Sequence, residues 1–366
     1  DDPLDPIEHR PLETLTDEQN AVRTAVLDGK NPVTLCCSPA GTGKTHTASA
    51  IVDSHEWPKG VICVAPTHKA LSVLRTKITT NGVTFTTVQK LAVLVKQVPA
   101  SLVVVDETSM FTMRHVKVIL DTSPDSRLLF LGDDAQLPCI GRGLPIKDLQ
   151  RVLPTFRLAK CMRTEGAELI ALASAVRDGG VLEVGGDVVT MEQITFQSTE
   201  LADHVGARIL SLVPPWDDDY VQIIACENKH VDMVNKSVQA RLTGRGTMVS
   251  GCYAGDPVRM QYNSDHYKNG DEGMIVDVRE KRGKGDDVKG FATVRRKDGS
   301  TFTVDRDGHM RPAYASTVHK CQGSEYATVV LALFRETYMK MVTREMIYTS
   351  VTRARRCLSI VGHLPW

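Results

Sequence analysis

Val33-Thr34-Leu35-Cys36-Cys37-Ser38-Pro39-Ala40-Gly41-Thr42-Gly43-Lys44-Thr45 carries an apolar strand directly into a glycine-bearing turn that ends Gly-Lys-Thr. Glycines let backbone N–H groups curl around an anion, a helix opening at Lys44 adds its positive end, and the lysine ammonium reaches outer phosphates. Gly41, Thr42, Gly43 and Lys44 are therefore expected to cradle a nucleotide, with Thr45 on Mg²⁺. The usual spacing G-x-x-x-x-G-K-[ST] has glycine where this chain has Ser38, so one permissive backbone position is expected to be lost.

Working outward, short β-branched runs alternate with helical stretches. Val61–Ala65, Leu102–Val105 and Leu128–Leu131 read as strands, Thr45–His55, Lys69–Ile78 and Met113–Leu120 as helices. That alternation means a parallel sheet with crossover helices. A second series follows a strand-like Phe156–Met162, with helices Glu168–Arg177, Glu200–Leu212, Val231–Leu242 and Arg344–Arg355 and strands Val221–Cys226, Ala327–Phe334 and Cys357–Val361. Between Asp256 and Arg311 the pattern becomes short alternating strands with turns at Asn269-Gly270-Asp271 and Asp298-Gly299, a small β insertion. Lys281-Arg282-Gly283-Lys284 reads as a loop in it, a solvated tip or a nucleic-acid contact.

Bulk properties bound the partners. Lys+Arg and Asp+Glu both number 44 in 366 residues, so affinity for nucleic acid must come from a local channel rather than a global field. The 9 cysteines include no C-x-x-C pair, which suits a reducing, intracellular compartment and no zinc. No apolar run approaches the roughly 18 residues that span a bilayer, so no membrane is expected. Residues 1–14, acidic and broken by proline, read as a flexible arm outside the fold.

Leu102–Val105 empties onto Asp106-Glu107 at the edge where parallel sheets place ligands. Asp106 is expected to hold Mg²⁺ through water and Glu107 to orient and deprotonate the attacking water. Gln136, beyond another strand end, could sense a γ-phosphate. The Tyr348–Arg356 stretch places guanidiniums on an expected helix, and Arg353 and Arg163 are the candidate cations for the transferring phosphoryl group.

Seven segments then occur in one order: Leu15–Gln19, Pro39–Thr45, Ala65–Ala70, Asp106–Ser109, Gly132–Pro138, Thr317–Glu325 and Val351–Arg356. Together they resemble superfamily 1B helicases of the RecD and Dda type. The resemblance implies an α/β fold of two RecA-like parallel-sheet domains with a small SH3-like β insertion in the second. The expected bounds are 15–158, then 159–255 with 312–366, and 256–311 for the insertion. It implies an ATP- and Mg²⁺-dependent motor moving 5′ to 3′ on single-stranded DNA and opening duplexes, with hydrolysis at the cleft between the domains. Gln19 would read adenine; Gln322, Gly323 and Glu325 would link nucleotide to strand; Pro66, Thr67, His68, Thr317 and His319 match strand-facing positions. A monomer is expected, working beside replication or recombination proteins.

Two departures accompany the match. Only about ten residues separate Leu91 from Leu102, so a β-hairpin wedge there must be tiny or absent, and Gln89 stands where a histidine is common in the family. Trp216, Tyr262, Tyr267 and Tyr314 are the candidates for base stacking, each weighed against ordinary packing. RNA remains open as the track, since threonine and histidine at the backbone do not reveal whether a 2′-OH is accepted. A nucleotide-gated loader or adaptor is the alternative from another class, and its mark would be loss of Glu107 or the arginines. A small-molecule P-loop kinase would need a lid in place of the second α/β half.

Overall fold

The strand that opens the sequence reading, Val33–Cys37, lies inside a six-stranded parallel sheet flanked by helices on both faces. The computed structural model describes residues 15–93, 98–162, 166–180, 188–190, 194–198, 221–242, 247–282, 288–296, 298–305, 308–334 and 342–362. These fall into two compact units, one ending at Arg163 and one running from Thr164, with Ala135–Leu137 counted in the second. That division comes a few residues beyond the expected 158/159 boundary.

In the first unit the order is α1 (Asp17–Asp28), β1 (Val33–Cys37), α2 (Lys44–Asp53), β2 (Val61–Ala65), α3 (His68–Lys77), β3 (Val83–Thr87), α4 (Val88–Val93), β4 (Leu102–Val105), α5 (Met113–Thr122), β5 (Arg127–Gly132), α6 (Pro145–Gln150) and β6 (Thr155–Phe156). The strands pair as β3-β2-β4-β5-β1-β6, all parallel. Period-two alternation splits their side chains between two cores. Cys36, Cys63, Leu102 and Val104 pack with Val22 of α1, Ile51 of α2 and Leu74 of α3; Leu35, Ile62, Val103 and Val105 pack with Leu91 of α4, Ile119 of α5 and Ile146 of α6. Burial on both faces is why these strands read as unbroken apolar runs. Among the described residues between Val93 and Leu102 there is no strand.

The second unit continues with α7 (Ala167–Asp178), β7 (Val188–Thr190), β8 (Ile194–Ser198), β9 (Val221–Ala225), α8 (Asn228–Leu242), β10 (Pro257–Met260), β11 (Glu272–Arg282), β12 (Val288–Arg295), β13 (Thr301–Val304), β14 (Met310–Pro312), β15 (Ala315–Thr317), α9 (Val318–Cys321), β16 (Tyr326–Leu333), α10 (Arg344–Val351) and β17 (Ala354–Gly362). Its larger sheet runs β15-β9-β16-β17-β8-β7, parallel except for β7 against β8. Leu331, Leu358 and Ile360 pack on α7 and α10, while Ile223, Val330 and Ala332 pack on α8. Strands β10–β14 form a separate five-stranded antiparallel sheet around Val258, Ile275, Val294 and Phe302.

Three sequence expectations are corrected here. The helix expected over Arg344–Arg355 ends at Val351, and Arg355 and Arg356 lie on β17. Pairing of the Tyr326 N–H with the Arg353 carbonyl, at 2.9 Å, recruits that backbone into the sheet, overriding the helix-forming tendency of the Arg-Ala-Arg-Arg run. The strand-like segment read over Phe156–Met162 is shortened to Thr155–Phe156. Lys281 and Arg282 belong to β11 rather than a loop, and residues 283–287 lie outside the described residues. The helix read at Glu200–Leu212, with Trp216 and Arg163, also lies outside them. No helix among the described residues is long and apolar enough to cross a membrane.

Candidate functional site

In the first unit the turn after β1 has the conformation its glycines permit, with Gly41 at φ 79° and Gly43 at φ 87°. Gly43, which has no side chain to spend on a cap, stands at the N-cap of α2. Such a helix start, aimed out of a parallel sheet, is suited to phosphate. Lys44 Nζ donates to the carbonyls of Ser38 at 2.7 Å and Pro39 at 2.8 Å, and Thr42 Oγ1 donates to the Pro39 carbonyl at 2.9 Å. The loop is thus shaped by its own side chains, with Thr45 in the first turn of α2.

Ser38 costs the loop no permissive position. It is absent from the positive-φ residues, so glycine is not required there. Instead its buried hydroxyl accepts the Leu158 N–H at 2.8 Å, tying the segment just after β6 to the loop. Ser38→Gly, which restores the usual motif letter, is therefore expected to destabilise the protein by about 1–3 kcal/mol through the unpaired buried N–H. Denaturant unfolding of the variant checks this; an unchanged midpoint would remove the bond from the account.

The segment after Leu158 carries contacts that motif reading missed. Glu18 Oε2 accepts the N–H groups of Ala159 and Lys160, at 2.8 and 3.4 Å, and the Gly41 carbonyl accepts the Met162 N–H at 2.9 Å. Only an acid in the first turn of α1 hinted at this. Gln19, expected to read adenine, is 1% exposed and has both ends of its amide engaged. Its Oε1 accepts the Thr16 N–H at 3.0 Å in a capping box, and its Nε2 donates to the Thr42 carbonyl at 3.4 Å. Contact with a base would have to exchange the weak Thr42 bond.

Asp106 and Glu107 stand at the end of β4, where Asp106 Oδ1 accepts the Glu107 N–H at 2.9 Å. Glu107 adopts φ 53°, ψ 43°, a left-handed conformation uncommon away from glycine and frequent at functional turns. Thr108 Oγ1 fixes the turn by donating to the Leu131 carbonyl at 2.8 Å. Burial, and then the neighbouring Glu107 carboxylate, hold the Asp106 carboxyl up to about 7, while Lys44 pulls it partly back. A crowded carboxylate pair whose Asp106 member is buried, beside an ammonium, fits a divalent cation with a phosphate. Asp106 and Thr45 are the residues that could hold Mg²⁺.

The sign of this shift gives a pH dependence. A carboxyl raised in the folded state adds stability in full below its ordinary value of 3.8, and that contribution is lost as pH climbs through about 7. Mg²⁺ takes the ionised form, so metal affinity should climb across the same window. Mg²⁺-dependent melting measured from about pH 5 to about pH 8 is expected to show a growing shift, flattened in Asp106→Asn.

Strand-facing candidates occupy equivalent places in the two sheets. Thr67 follows β2 and accepts the Ala70 N–H at 3.1 Å, capping α3; Thr317 ends β15 and accepts the Lys320 N–H at 3.4 Å, capping α9. Each capping hydroxyl keeps its own proton for donation to a phosphate oxygen. His68 is exposed beside half-buried Pro66, and burial lowers the half-buried His319 below the ordinary imidazole value.

Within the second unit Gln136 is 4% exposed, and Gln322 Nε2 donates to the Leu137 carbonyl at 2.8 Å. Gly323 takes φ 70°, and Glu325 faces Arg355 at 3.7 Å. Arg353 is 4% exposed, in the turn between α10 and β17. Its guanidinium donates to the Thr349 and Ser324 carbonyls, both at 3.0 Å, and to Thr352 Oγ1 at 3.1 Å. Of the aromatic candidates, Tyr267 and Tyr314 are packed, bonded to His309 Nδ1 and Asp256 Oδ1, whereas Tyr262 is 57% exposed.

Residues 14–198 match the family described as AAA domain. The chain belongs to that family. Residues 312–361 match the UvrD-like helicase C-terminal domain, which together with the motif order bears out the resemblance to superfamily 1B helicases of the RecD type. It is 30% identical over 375 residues to the ATP-dependent RecD2 DNA helicase of Deinococcus radiodurans, covering 93% of this chain and 48% of that protein. Against the RecBCD enzyme subunit RecD of Mycolicibacterium smegmatis identity is 29%, over 73% of this chain and 50% of the relative. The chain therefore spans about half the length of these curated relatives. A Bacteroides Pif1 helicase in complex with ADP-AlF3 and single-stranded DNA superposes with a TM-score of 0.63 at 16% identity, covering 96% of this chain and 93% of that one. The Pif1 helicase of Candida albicans gives 0.59 at 17%, covering 95% and 94%. Both parallel sheets are accordingly RecA-like domains.

Proposed function

We propose that the protein is an ATP-driven motor that moves 5′ to 3′ along single-stranded DNA and opens duplexes. The observation that carries this reading is the built phosphate loop, its glycine-capped helix start and Lys44 set beside buried Asp106 and half-buried Glu107. Lys44 and the N–H groups from Gly41 to Thr45 bind the phosphates, Thr45 and Asp106 hold Mg²⁺, and Glu107 activates water. Gln136, Arg163 and Arg353 complete hydrolysis, and Gln322, Gly323 and Glu325 relay nucleotide state to the strand. Thr67 and Thr317, with Pro66, His68 and His319, hold sugar-phosphate without reading bases, and a sequence-neutral grip is what stepping requires.

The names of the relatives, a RecD2 DNA helicase and a Pif1 helicase with single-stranded DNA, favour DNA as the track. The antiparallel sheet β10–β14 is proposed as the SH3-like element that caps the strand, and a monomer as the working unit. Partial duplexes carrying a 5′ or a 3′ single-stranded tail test the reading, with ATP hydrolysis followed in parallel. Unwinding of the 5′-tailed substrate alone is expected. Unwinding confined to the 3′ tail would reverse the polarity, and hydrolysis stimulated by oligo-U but not oligo-dT would make RNA the track.

A further inference from the structure

Strand β10 turns one charged side chain away from the core of the small sheet. Val258 and Met260 pack into that core with Ile275 and Val294, and Arg259 between them points to the opposite face by the period-two alternation of a strand. It is 7% exposed, and its Nε donates at 3.0 Å to Glu272 Oε1 on β11, an oxygen that its Nη2 also reaches. On that face it shares a cavity wall with Ser316 of β15 and Lys320 of α9. Buried ion pairs add little net stability, because desolvation offsets most of their attraction, so the use of this one is to be sought in what it faces.

It faces the turn that follows α9. Tyr326, 2% exposed, donates its hydroxyl to Cys321 Sγ at 3.8 Å across that turn, and the Ser324 N–H donates to the Cys321 carbonyl at 3.1 Å. The Tyr326 N–H meets the Arg353 carbonyl at 2.9 Å, and Arg353 Nη1 returns to the Ser324 carbonyl at 3.0 Å. Arg353 is thereby held on a turn that Tyr326 itself closes on Cys321. Burial, then Cys321 and Glu272, push the Tyr326 hydroxyl well above its ordinary value, and Arg259 pulls the other way, so both members of the ion pair act on this phenol. Hydroxyl dipoles orient in such a field, and a fixed guanidinium leaves the Tyr326 proton for the sulfur.

We propose that Arg259 and Glu272 are positioning residues for ATP hydrolysis: by fixing Tyr326 on Cys321 they set the turn 322–325 and the Arg353 guanidinium that it carries. This deepens the reading of Gln322, Gly323, Glu325 and Arg353 as parts of the hydrolysis site, and rests on it. The small sheet then acts on turnover through the pair that joins β10 to β11.

Turnover of the full chain at saturating ATP and dT oligomer, with KM for ATP, oligomer affinity by anisotropy and melting temperature, tests the pair in Arg259→Met, Glu272→Gln and Tyr326→Phe beside Arg353→Ala. Arg259→Met and Tyr326→Phe are each expected to lower kcat about tenfold at unaltered KM and oligomer affinity, within what a small displacement of catalytic groups costs. The double variant of Arg259→Met with Tyr326→Phe should lose no more than either alone, because the two act through one contact. Glu272→Gln, which keeps an acceptor for Arg259, should fall between the parent protein and Arg259→Met. Where Arg259→Met melts below the assay temperature, Tyr326→Phe decides, since it removes a single oxygen atom. Parental kcat in both single variants, or losses that add in the double variant, would overturn the positioning role; with Arg353→Ala impaired, the hydrolysis reading stands without it. Parental kcat in Arg353→Ala would remove the hydrolysis reading of this turn and the positioning role with it.

Discussion

Lys44→Ala is expected to reduce ATP turnover by about 10²–10³ while binding of single-stranded DNA persists, because one preorganised cation is lost where charge develops on the transferring phosphoryl group. The Lys44 ammonium sits against the Ser38 and Pro39 carbonyls at 2.7 and 2.8 Å, already held at the mouth of the loop. Phosphate entry exchanges those two neutral acceptors for charged oxygens, a stronger partner for the same donor. The alanine variant leaves both carbonyls to water, since the loop is only part-buried there, so folding should change little. Turnover measured beside oligonucleotide affinity separates the roles; turnover equal to that of the parent protein would end the assignment of this loop as the ATP site.

The legible parts of the sequence were those whose physics is local or whose burial is two-sided. β2 and β4 coincide with the expected Val61–Ala65 and Leu102–Val105, since strands covered on both faces leave continuous apolar letters. β3, Val-Thr-Phe-Thr-Thr, is an edge strand with less burial and carries no such run, and β15 has only Ala-Ser-Thr to announce it. The phosphate loop was legible as a motif, but the work of Ser38 was not. Its partner, Leu158, lies 120 positions away, and only the fold brings them together. Gln19 shows the same limit from the other side: its cap on Thr16 follows from spacing, its bond to Thr42 does not.

Arg353→Ala is expected to have two separable effects. Truncation leaves the Thr349 and Ser324 carbonyls without their 3.0 Å donors in a buried turn, which should destabilise the protein by about 1–3 kcal/mol for each acceptor left bare. If Arg353 also supplies the cation that completes hydrolysis, turnover falls by about 10³–10⁵ on top of that loss, with little change in nucleotide affinity. Arg353→Lys divides the two, because an ammonium keeps the charge and can satisfy one carbonyl but cannot reproduce the planar fork that reaches Thr349, Ser324 and Thr352 together. Melting temperature should recover partly in the lysine variant while turnover stays low. A lowered melting temperature with an unaltered turnover number in Arg353→Ala would make this residue a brace between α10 and the Gln322–Glu325 turn and nothing more. The guanidinium is placed to be more than that brace only if ATP gives it a partner worth exchanging for neutral carbonyls, and a phosphoryl group gathering negative charge is such a partner.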